Sequence, residues 1–419
     1  MSGDTALWAE HVAWPMGTRC VTHVDLDMFF AACHILERPE LAEAPLVIGG
    51  DPHGRGVVST ANYVARRYGI HSAMPAAQAL RLCPHAVFLR PDGALYRPRS
   101  RRVMEILAAE IAPVLQRVSV DEAFVDATGL DDPVARARRA LGRILEETGL
   151  TASVAVATTR LCSKIGSDLR KPAGFVVVPP GQEAAFLAPL PIEKVWGIGP
   201  RTAEALHAAG LSQVGELAGA SPAHLAGAVG ARRAHELRAM ACGHDDSPVR
   251  TERSPKSYSA EHTFARDEGD PHVLWTELRE MAEELAGRLV AAGLAGTTVG
   301  VKLRYPEWVT ATRDHSLSHP VDEAEAIARE AAGLMRRHWE RRPLRLIGLR
   351  VSGLRPAPAY RLPPTAARPP LIPLKRARSS QVFEDAFRFL SETIDVGGDP
   401  WQIPNTAGKA RERVPRCAP

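Results

Sequence analysis

The sequence predicts a chain of several α+β domains, and three observations support this fold class. Its 419 residues are enough for about three domains at roughly 150 residues each. Hydrophobic residues make up 45% and charged residues 24%, which is a globular balance. Strand and helix patterns alternate along most of the chain, and one stretch contains helix patterns only. We therefore expect mixed α/β regions, a helical module and a small sheet domain.

The first structured segment is predicted to begin after an extension at residues 1–18. The sequence Cys20-Val-Thr-His-Val-Asp-Leu-Asp alternates β-branched and polar residues, which predicts a strand. A compact region follows to about Pro91, with glycines that mark turns. Residues 96–182 then combine helix patterns and strand patterns. The elements predicted there are helices at Arg102–Leu115 and Ala135–Glu147 and strands at Val118–Val125, Ser153–Ala157 and Phe175–Val178.

Residues 183–248 are predicted to form short helices that meet at glycines, without a strand of any strength. A short linker at residues 249–255 ends this helical region. Residues 256–355 then follow the order strand, helix, strand, strand, helix, strand, with helices at 271–292 and 321–338. This β-α-β-β-α-β order predicts a four-stranded sheet with both helices on one face.

Residues 356–419 differ in composition from the rest of the chain. Residues 356–373 contain seven prolines and no acid, and the basic residues Lys375, Arg376 and Arg378 follow. A proline-rich basic segment has little apolar surface to bury. We therefore expect a disordered or extended basic tail.

The net charge is +4, from 52 basic and 48 acidic residues, and this is too small to indicate nucleic-acid binding by itself. The distribution of charge over residues 256–355 is more informative. Gly300, Lys302 and Arg304 alternate with apolar residues, so one face of the strand is apolar and the other basic. The basic face is either a solvated face of an antiparallel sheet or a surface that lies along a phosphate backbone.

The composition also argues against several classes of protein. The apolar runs are far shorter than the roughly 20 residues that span a bilayer, and no basic residue precedes Arg19 as a secretory leader requires. Six scattered cysteines without a CxxC pair predict reduced thiols and no structural zinc. We therefore expect a cytoplasmic protein without a membrane partner.

Two acidic motifs lie on predicted strands, His23-Val-Asp-Leu-Asp and Ser119-Val-Asp-Glu. Carboxylates among apolar strand residues are costly to bury unless they are paired, protonated or bound to a cation. On neighbouring strands, Asp25, Asp121 and Glu122 would surround two Mg²⁺ ions about 4 Å apart, an arrangement that drives in-line displacement at phosphorus. Ordinary solvated acids at strand ends are the alternative.

A third motif is Ser59-Thr-Ala-Asn-Tyr-Val-Ala-Arg-Arg-Tyr-Gly, which predicts a helix start with Tyr63 and Arg66 one turn apart. A phenol, a guanidinium and the free amides of a helix N-terminus can together grip a triphosphate. An ordinary basic surface helix is the alternative.

The three motifs together closely resemble those of Y-family translesion DNA polymerases, and within them the DNA polymerase IV branch. The matching segments are His23-Val-Asp-Leu-Asp-Met-Phe-Phe-Ala-Ala, Thr60-Ala-Asn-Tyr-Val-Ala-Arg-Arg-Tyr-Gly and Ser119-Val-Asp-Glu-Ala-Phe. Their order and spacing are more specific than any one of them, and the resemblance covers about residues 20–355. It implies a right-hand polymerase that copies a DNA template with low fidelity in translesion synthesis and DNA repair.

The resemblance also implies a domain organisation for the right-hand fold. The implied domains are a palm at 19–30 and 96–182, fingers at 31–95, a helical thumb at 183–248 and a little finger at 256–355, preceded by the linker at 249–255. In the thumb, Gly197 and Gly199 resemble a helix-hairpin-helix whose backbone amides approach a DNA phosphate. In the little finger, the residues implied to follow the duplex backbone are Lys302, Arg304, Arg345 and Arg350.

In this family the acids form a two-metal centre. The resemblance therefore implies that Asp25, Asp121 and Glu122 are catalytic and bind two Mg²⁺ ions, with the carbonyl of Leu26 as a further ligand. The implied reaction is attack of a primer 3′-hydroxyl on the α-phosphate of a dNTP, with release of pyrophosphate. Asp27 belongs to the same motif, and we expect it to have a structural role.

Four further residues match positions that hold the nucleotide. Phe30 matches the steric gate, a ring beneath the sugar that excludes a ribose 2′-hydroxyl, although without the motif it would be read as an ordinary core residue. Tyr63, Arg66 and Lys164 match positions that bind the triphosphate.

Primer–template DNA and dNTPs are the implied partners, and we expect a monomer. A sliding clamp is a further possible partner, because this branch usually ends in a clamp motif, Gln-x-x-Leu-Phe. The chain has no clear match to that motif, and Leu371-Ile-Pro-Leu and Gln381-Val-Phe are poor substitutes. One alternative is a catalytically silent DNA-binding scaffold of a mutagenesis complex, which would be expected to lose the acids that this chain keeps. Another is a template-independent nucleotidyltransferase such as a cyclase, which gives no reason for the helix-hairpin-helix.

Overall fold

The computed structural model describes residue 12, residues 14–251 and residues 254–357 of the chain. Most of the predicted extension at 1–18 and nearly all of the predicted tail at 356–419 lie outside the described residues. The chain divides into two compact units, Met1–Ser254 and Pro255–Pro419. Among the described residues, no helix is both long and apolar enough to cross a membrane.

The first unit combines two sheets with helices. In chain order its elements are β1 (Val21–Leu26), α1 (Phe29–Glu37), β2 (Leu46–Gly49), β3 (Val58–Ala61), α2 (Tyr63–Arg66), α3 (Ala76–Leu82), β4 (Val87–Leu89), α4 (Gly93–Glu110), β5 (Leu115–Arg117), β6 (Glu122–Asp126), α5 (Pro133–Thr148), β7 (Ala152–Ala157), α6 (Arg160–Leu169), β8 (Phe175–Val177), α7 (Glu183–Leu187), α8 (Pro200–Ala208), α9 (Val214–Gly219), α10 (Pro222–Val229) and α11 (Ala231–Ala241). Single turns of 3₁₀ helix lie at Pro39–Leu41 and Ile192–Lys194.

The larger sheet has the strand order β5-β6-β1-β7-β8, with β1 at its centre and buried along its whole length. Alternation along β1 turns Val24 and Leu26 towards a core that α4 and α5 cover. The same alternation turns His23 and Asp25 to the opposite face, where α6 packs. A strand buried on both faces therefore carries a histidine and a carboxylate on one of them.

Two predicted boundaries in this region are wrong. The strand predicted at Val118–Val125 is a hairpin, with β5 ending at Arg117 and β6 beginning at Glu122. The hydroxyl of Ser119 accepts hydrogen bonds from the amides of Asp121 and Glu122, which stabilises a turn instead of extended backbone. The helix predicted at Arg102–Leu115 is α4, which begins at Gly93 because the Asp92 carboxylate caps it, and which ends at Glu110, since Leu115 belongs to β5.

The remaining parts of the first unit are a small sheet and a helical region. The small sheet has the order β3-β2-β4 and packs with α2 and α3 around an apolar cluster. Helices α7 to α11 surround a core that includes Leu206, Leu217 and Leu237. Residues 183–248 thus contain short helices, and the described residues there include no named strand, as predicted.

The second unit confirms the predicted β-α-β-β-α-β order. Its elements are β9 (Ser257–Glu268), α12 (Pro271–Ala292), β10 (Leu294–Arg304), β11 (Thr310–Val321), α13 (Ala324–His338) and β12 (Leu344–Pro356). The strands form one antiparallel sheet of order β11-β10-β12-β9. Helices α12 and α13 share a single core with the inner face of the sheet. The second helix begins at Ala324, later than the predicted 321, because β11 extends to Val321.

Two helical glycines predict opposite effects on stability. A Cβ at Gly166 of α6 would lie 2.7 Å from the Ala155 Cβ of β7, so Gly166→Ala is expected to lower the free energy of unfolding by about 1–2 kcal/mol. A Cβ at Gly142 of α5 would meet nothing within 4 Å, so Gly142→Ala is expected to raise it by about 0.5–1 kcal/mol. Thermal melting of both variants checks the pair. Equal shifts would contradict the close packing of α6 on β7.

Candidate active site

Asp25 lies near the end of β1 and is 5% exposed. The Nζ of Lys171 lies 2.7 Å from its Oδ2, and the Nζ of Lys164 lies 3.4 Å from the same atom. Burial raises the pKa of Asp25 to about 6, although both lysines act in the opposite direction. A carboxylate held in such surroundings is stabilised by nearby positive charge.

Glu122 is the first residue of β6 and pairs directly with Asp25 in the antiparallel register of β1 and β6. Its Oε2 lies 3.0 Å from the Nζ of Lys164 and 3.5 Å from the Nε2 of His23. Burial alone would raise the pKa of Glu122, but His23 and Lys164 outweigh burial and lower it to about 2. Glu122 therefore stays ionised over the physiological range.

Asp121 occupies the last position of the turn before β6. Its backbone carbonyl accepts a hydrogen bond of 2.9 Å from the amide of Leu26, which brings the turn against the end of β1. Its Oδ1 accepts a hydrogen bond from the hydroxyl of Ser119, and burial raises the pKa of its carboxyl group. The register and the turn together bring the three predicted acids to one end of two neighbouring strands.

The donor set suits a hard divalent cation, because it consists of carboxylate oxygens. Within the described ranges, however, no three His, Cys, Asp or Glu side chains are grouped closely enough to hold a metal ion in this arrangement. Asp121 is turned towards Ser119, and the ammonium groups of Lys164 and Lys171 contact Asp25. Positive charge thus already lies beside the carboxylates, and the chemistry of the three acids fits a divalent cation.

Phe30 lies on the second position of α1 and is half-buried. Its ring stacks on Tyr96 of α4 with a centroid distance of 4.2 Å and an interplanar angle of 11°. The neighbouring Phe29 is 1% exposed and belongs to the core. The two phenylalanines therefore differ in role: one fills the core and the other presents a ring that a second aromatic supports.

Tyr63 begins α2, where the side chain of Asn62 accepts a hydrogen bond from the amide of Ala65 as an N-cap. The guanidinium of Arg66 lies 4.9 Å from the centre of the Tyr63 ring, and its Nε donates to the carbonyl of Ala61. The Tyr63 hydroxyl lies 3.5 Å from Asp27, which links this helix start to the end of β1.

Asp27 is 1% exposed, and protein groups satisfy both of its carboxylate oxygens. The Ser153 hydroxyl donates to one oxygen at 2.7 Å, and the amide of Ala173 donates to the other at 2.8 Å. These contacts support the structural role expected for Asp27.

The sequence interpretation missed two residues of the site. Lys171 contacts both Asp25 and Asp168 at 2.7 Å, and its only signal was a second lysine seven residues after Lys164. His23 is fully buried between Glu122 and Ser167, whose Oγ lies 2.7 Å from its Nδ1. Its signal was a polar residue of the strand two positions before Asp25, on the same face.

Comparison with known proteins decides the family. Models of the impB/mucB/samB family match residues 24–168, those of its C-terminal domain match residues 255–363, and those of the IMS family HHH motif match residues 180–211. The DNA polymerase IV of Alkalilimnicola ehrlichii is 42% identical over 346 residues, which are 81% of this chain and 96% of that protein. The chain belongs to this family of DNA polymerases.

Other relatives indicate the same family. The DNA polymerase IV of Methanoculleus marisnigri is 42% identical over 81% of this chain and 95% of its own length. That of Streptomyces coelicolor is 40% identical over 80% of this chain and 71% of its own length. A solved Y-family DNA polymerase chimera, Dbh-Dpo4(243-245)-Dbh, matches with a TM-score of 0.72 at 26% identity over 80% of this chain and 98% of its own. The predicted Y-family fold and translesion DNA polymerase activity are thereby confirmed, and the silent scaffold is not favoured.

The polymerase's predicted helix-hairpin-helix has a well-defined turn. Gly197 has a φ of 92°, a left-handed conformation that favours glycine, and Gly199 caps the start of α8. Arg233 of α11 donates to the carbonyl of Gly197 at 2.7 Å. A Cβ at Gly199 would meet nothing within 4 Å, so the backbone at this turn is open to an approaching ligand.

The four cations predicted to follow DNA fall into two pairs in the sheet of the second unit. The guanidiniums of Arg304 and Arg345 lie 5.5 Å and 4.4 Å from the ring of Trp308, which is 64% exposed. Lys302 and Arg350 instead form ion pairs with acids that lie two strands away in the sheet. The expected basic face is therefore partly neutralised, because the sequence pattern of β10 did not include the acids that β9 and β11 bring beside it.

Proposed function

We propose that the chain adds deoxynucleotides to a primer 3′-hydroxyl at the site formed by Asp25, Asp121 and Glu122, with Mg²⁺ as its divalent metal. The observation that carries this proposal is the direct pairing of Asp25 with Glu122 across β1 and β6, with Asp121 beside them. Divalent-metal dependence is general in Y-family polymerases, and carboxylate oxygens suit Mg²⁺ in particular.

The three acids and the carbonyl of Leu26 are the residues that would hold two Mg²⁺ ions. When bound, these ions lower the pKa of the primer hydroxyl and neutralise charge on the triphosphate and the leaving group. Glu122 contributes a carboxylate that remains ionised, since its pKa is lowered to about 2. His23 and Ser167 support that carboxylate from the buried side of the sheet.

Basic and aromatic groups around the acids are proposed to bind and select the nucleotide. Lys164 and Lys171 lie beside the acids and supply positive charge to a triphosphate, and Tyr63 and Arg66 supply a phenol and a guanidinium from α2. Phe30 is proposed to exclude ribose, because its supported ring is a rigid obstacle to a 2′-hydroxyl.

We further propose the domain assignments and partners that the sequence suggests. Residues 19–30 and 96–182 act as the palm, 31–95 as the fingers, 183–248 as the thumb and 256–355 as the little finger. Gly197 and Gly199 approach a DNA phosphate, and basic side chains of the little finger follow the duplex. We propose a cytoplasmic monomer whose substrates are primer–template DNA and dNTPs. We assign no segment of the chain as a sliding-clamp motif.

Extension of a primed DNA template by the purified full-length chain tests this proposal. With Mg²⁺ and dNTPs, the primer is expected to lengthen according to the template sequence, and an excess of chelator is expected to abolish the reaction. Synthesis without a template would indicate the nucleotidyltransferase alternative. DNA binding without any extension would favour the scaffold.

A further inference from the structure

Two rows of side chains cross the exposed face of the second unit's sheet, and in each an acid reaches a base over a glycine. In the first row, Gly348 of β12 pairs with Glu261 of β9 on one side and with Lys302 of β10 on the other. The Nζ of Lys302 lies 2.9 Å from both carboxylate oxygens of Glu261. A Cβ at Gly348 would lie 3.0 Å from the Glu261 Cγ and 3.4 Å from the Lys302 Cβ.

The second row repeats this arrangement in the opposite direction across the sheet. Gly300 of β10 pairs with Asp314 of β11 on one side and with Arg350 of β12 on the other. A guanidinium nitrogen of Arg350 lies 2.7 Å from the Asp314 Oδ2. A Cβ at Gly300 would lie 1.9 Å from the Asp314 Oδ1, so a larger residue there would displace the carboxylate.

Strands in a sheet are about 4.8 Å apart, so residues two strands apart meet only when the residue between them is small. The sequence places Gly-x-Lys on β10 and Gly-x-Arg on β12, and each glycine lies opposite the cation of the other strand. The cations of these two rows, Lys302 and Arg350, are therefore held by acids. A shallow trough of about 390 Å³, lined in part by Ser257, Ser259 and Thr312, includes the first row together with Gly300 and Arg350 of the second.

The two ion pairs are accessible to a competing anion. The side chains of Lys302, Glu261, Arg350 and Asp314 are between 29% and 44% exposed. Ion pairs at this exposure contribute little to stability, so a phosphate can replace the carboxylate at small cost. A cation that must first leave a carboxylate nevertheless gains less from a phosphate than a free cation gains.

We propose that Glu261 and Asp314 compete with DNA phosphates for Lys302 and Arg350 and so weaken the polymerase's hold on DNA at this face. The inference rests on the proposed function, in which basic side chains of the little finger follow the duplex. Each acid removes about one effective phosphate contact, and with it one counterion released on binding. The sheet face thus carries both the cations that bind DNA and the anions that limit their effect.

Equilibrium binding of labelled primer–template DNA to the full-length chain, measured between 50 and 200 mM salt, tests the inference. Glu261→Gln and Asp314→Asn are each expected to tighten binding about three- to tenfold at the lowest salt, and to steepen the dependence of log K on log salt by about 0.9. The matched control is Glu284→Gln. Glu284 of α12 is ion-paired to Arg288 on a helix that covers the other face, so its removal changes the net charge equally.

Lys302→Ala and Arg350→Ala distinguish two claims: that this face binds DNA, and that the acids compete with DNA for its cations. If they leave affinity unchanged, the face does not bind DNA and the proposed role of these cations fails. If they weaken binding while Glu261→Gln and Asp314→Asn bind like the parent chain, the DNA face stands and the competition is overturned. An equal gain from Glu284→Gln would also overturn it, because the effect would then be one of net charge.

Discussion

Replacing Asp121 with alanine is expected to lower the rate of primer extension about a thousandfold or more. The carboxylate lies at the end of two paired strands beside Asp25 and Glu122, and it is one of three proposed metal ligands. Loss of metal stabilisation of the transition state costs several kcal/mol, and each 1.4 kcal/mol is a factor of ten in rate. Single-turnover extension with saturating dNTP measures the chemical step directly.

Stability provides an independent check on this variant. Burial raises the pKa of Asp121, so its removal relieves a half-buried acid, and the melting temperature is expected to stay the same or rise. Asp131→Ala is the matched control, because Asp131 is an exposed carboxylate that follows β6 and is not one of the three proposed metal ligands. Full activity of Asp121→Ala would refute the metal assignment. An equal loss in both variants would point to a general effect of charge.

Replacing Phe30 with alanine is expected to reduce the preference for dNTPs over rNTPs by about a hundredfold, with dNTP incorporation largely retained. The half-buried ring is held against Tyr96 at 4.2 Å, so it cannot easily move aside for a 2′-hydroxyl. Packing against a single added hydroxyl supplies selectivity of about this size. The ratio of kcat/KM for matched dNTP and rNTP pairs measures it.

The stacking contact adds a prediction that the motif alone does not make. Tyr96→Ala is expected to relax sugar selection partially, because Phe30 loses the ring that supports it. Tyr96→Phe is the control: it keeps the stack and loses only the hydroxyl, which lies 2.9 Å from the Nε2 of His34. Unchanged selection in both Phe30→Ala and Tyr96→Ala would mean that another residue excludes ribose.

Local pattern was sufficient for much of the fold. Alternation of polar and β-branched residues located β1, and the short helices joined at glycines in residues 183–248 indicated the helical module. The β-α-β-β-α-β order of the second unit was predictable because each element carries its own periodicity. Two of the boundary errors, at the start of α4 and before β6, fall where a side chain caps a helix or stabilises a turn, as Asp92 and Ser119 do.

Motifs identified the candidate acids, but their arrangement required the sheet. Asp25 and Glu122 are far apart in sequence, and only the antiparallel register of β1 and β6 makes them direct neighbours. Lys171 reaches Asp25 from beyond α6, and nothing in a local pattern distinguishes it from a surface lysine. The family resemblance therefore named the acids, whereas tertiary contacts brought the second lysine to them.

Local sequence patterns specified which residue types alternate on the strands, which segments are helical and which motifs carry the chemistry. Tertiary structure alone decided that Tyr96 supports Phe30 and that Glu261 and Asp314 neutralise two cations of the sheet face. The difference lies in the separation of the residues along the chain. A periodic pattern involves residues that are close in sequence, whereas strand order and register determine which distant charges and rings come into contact.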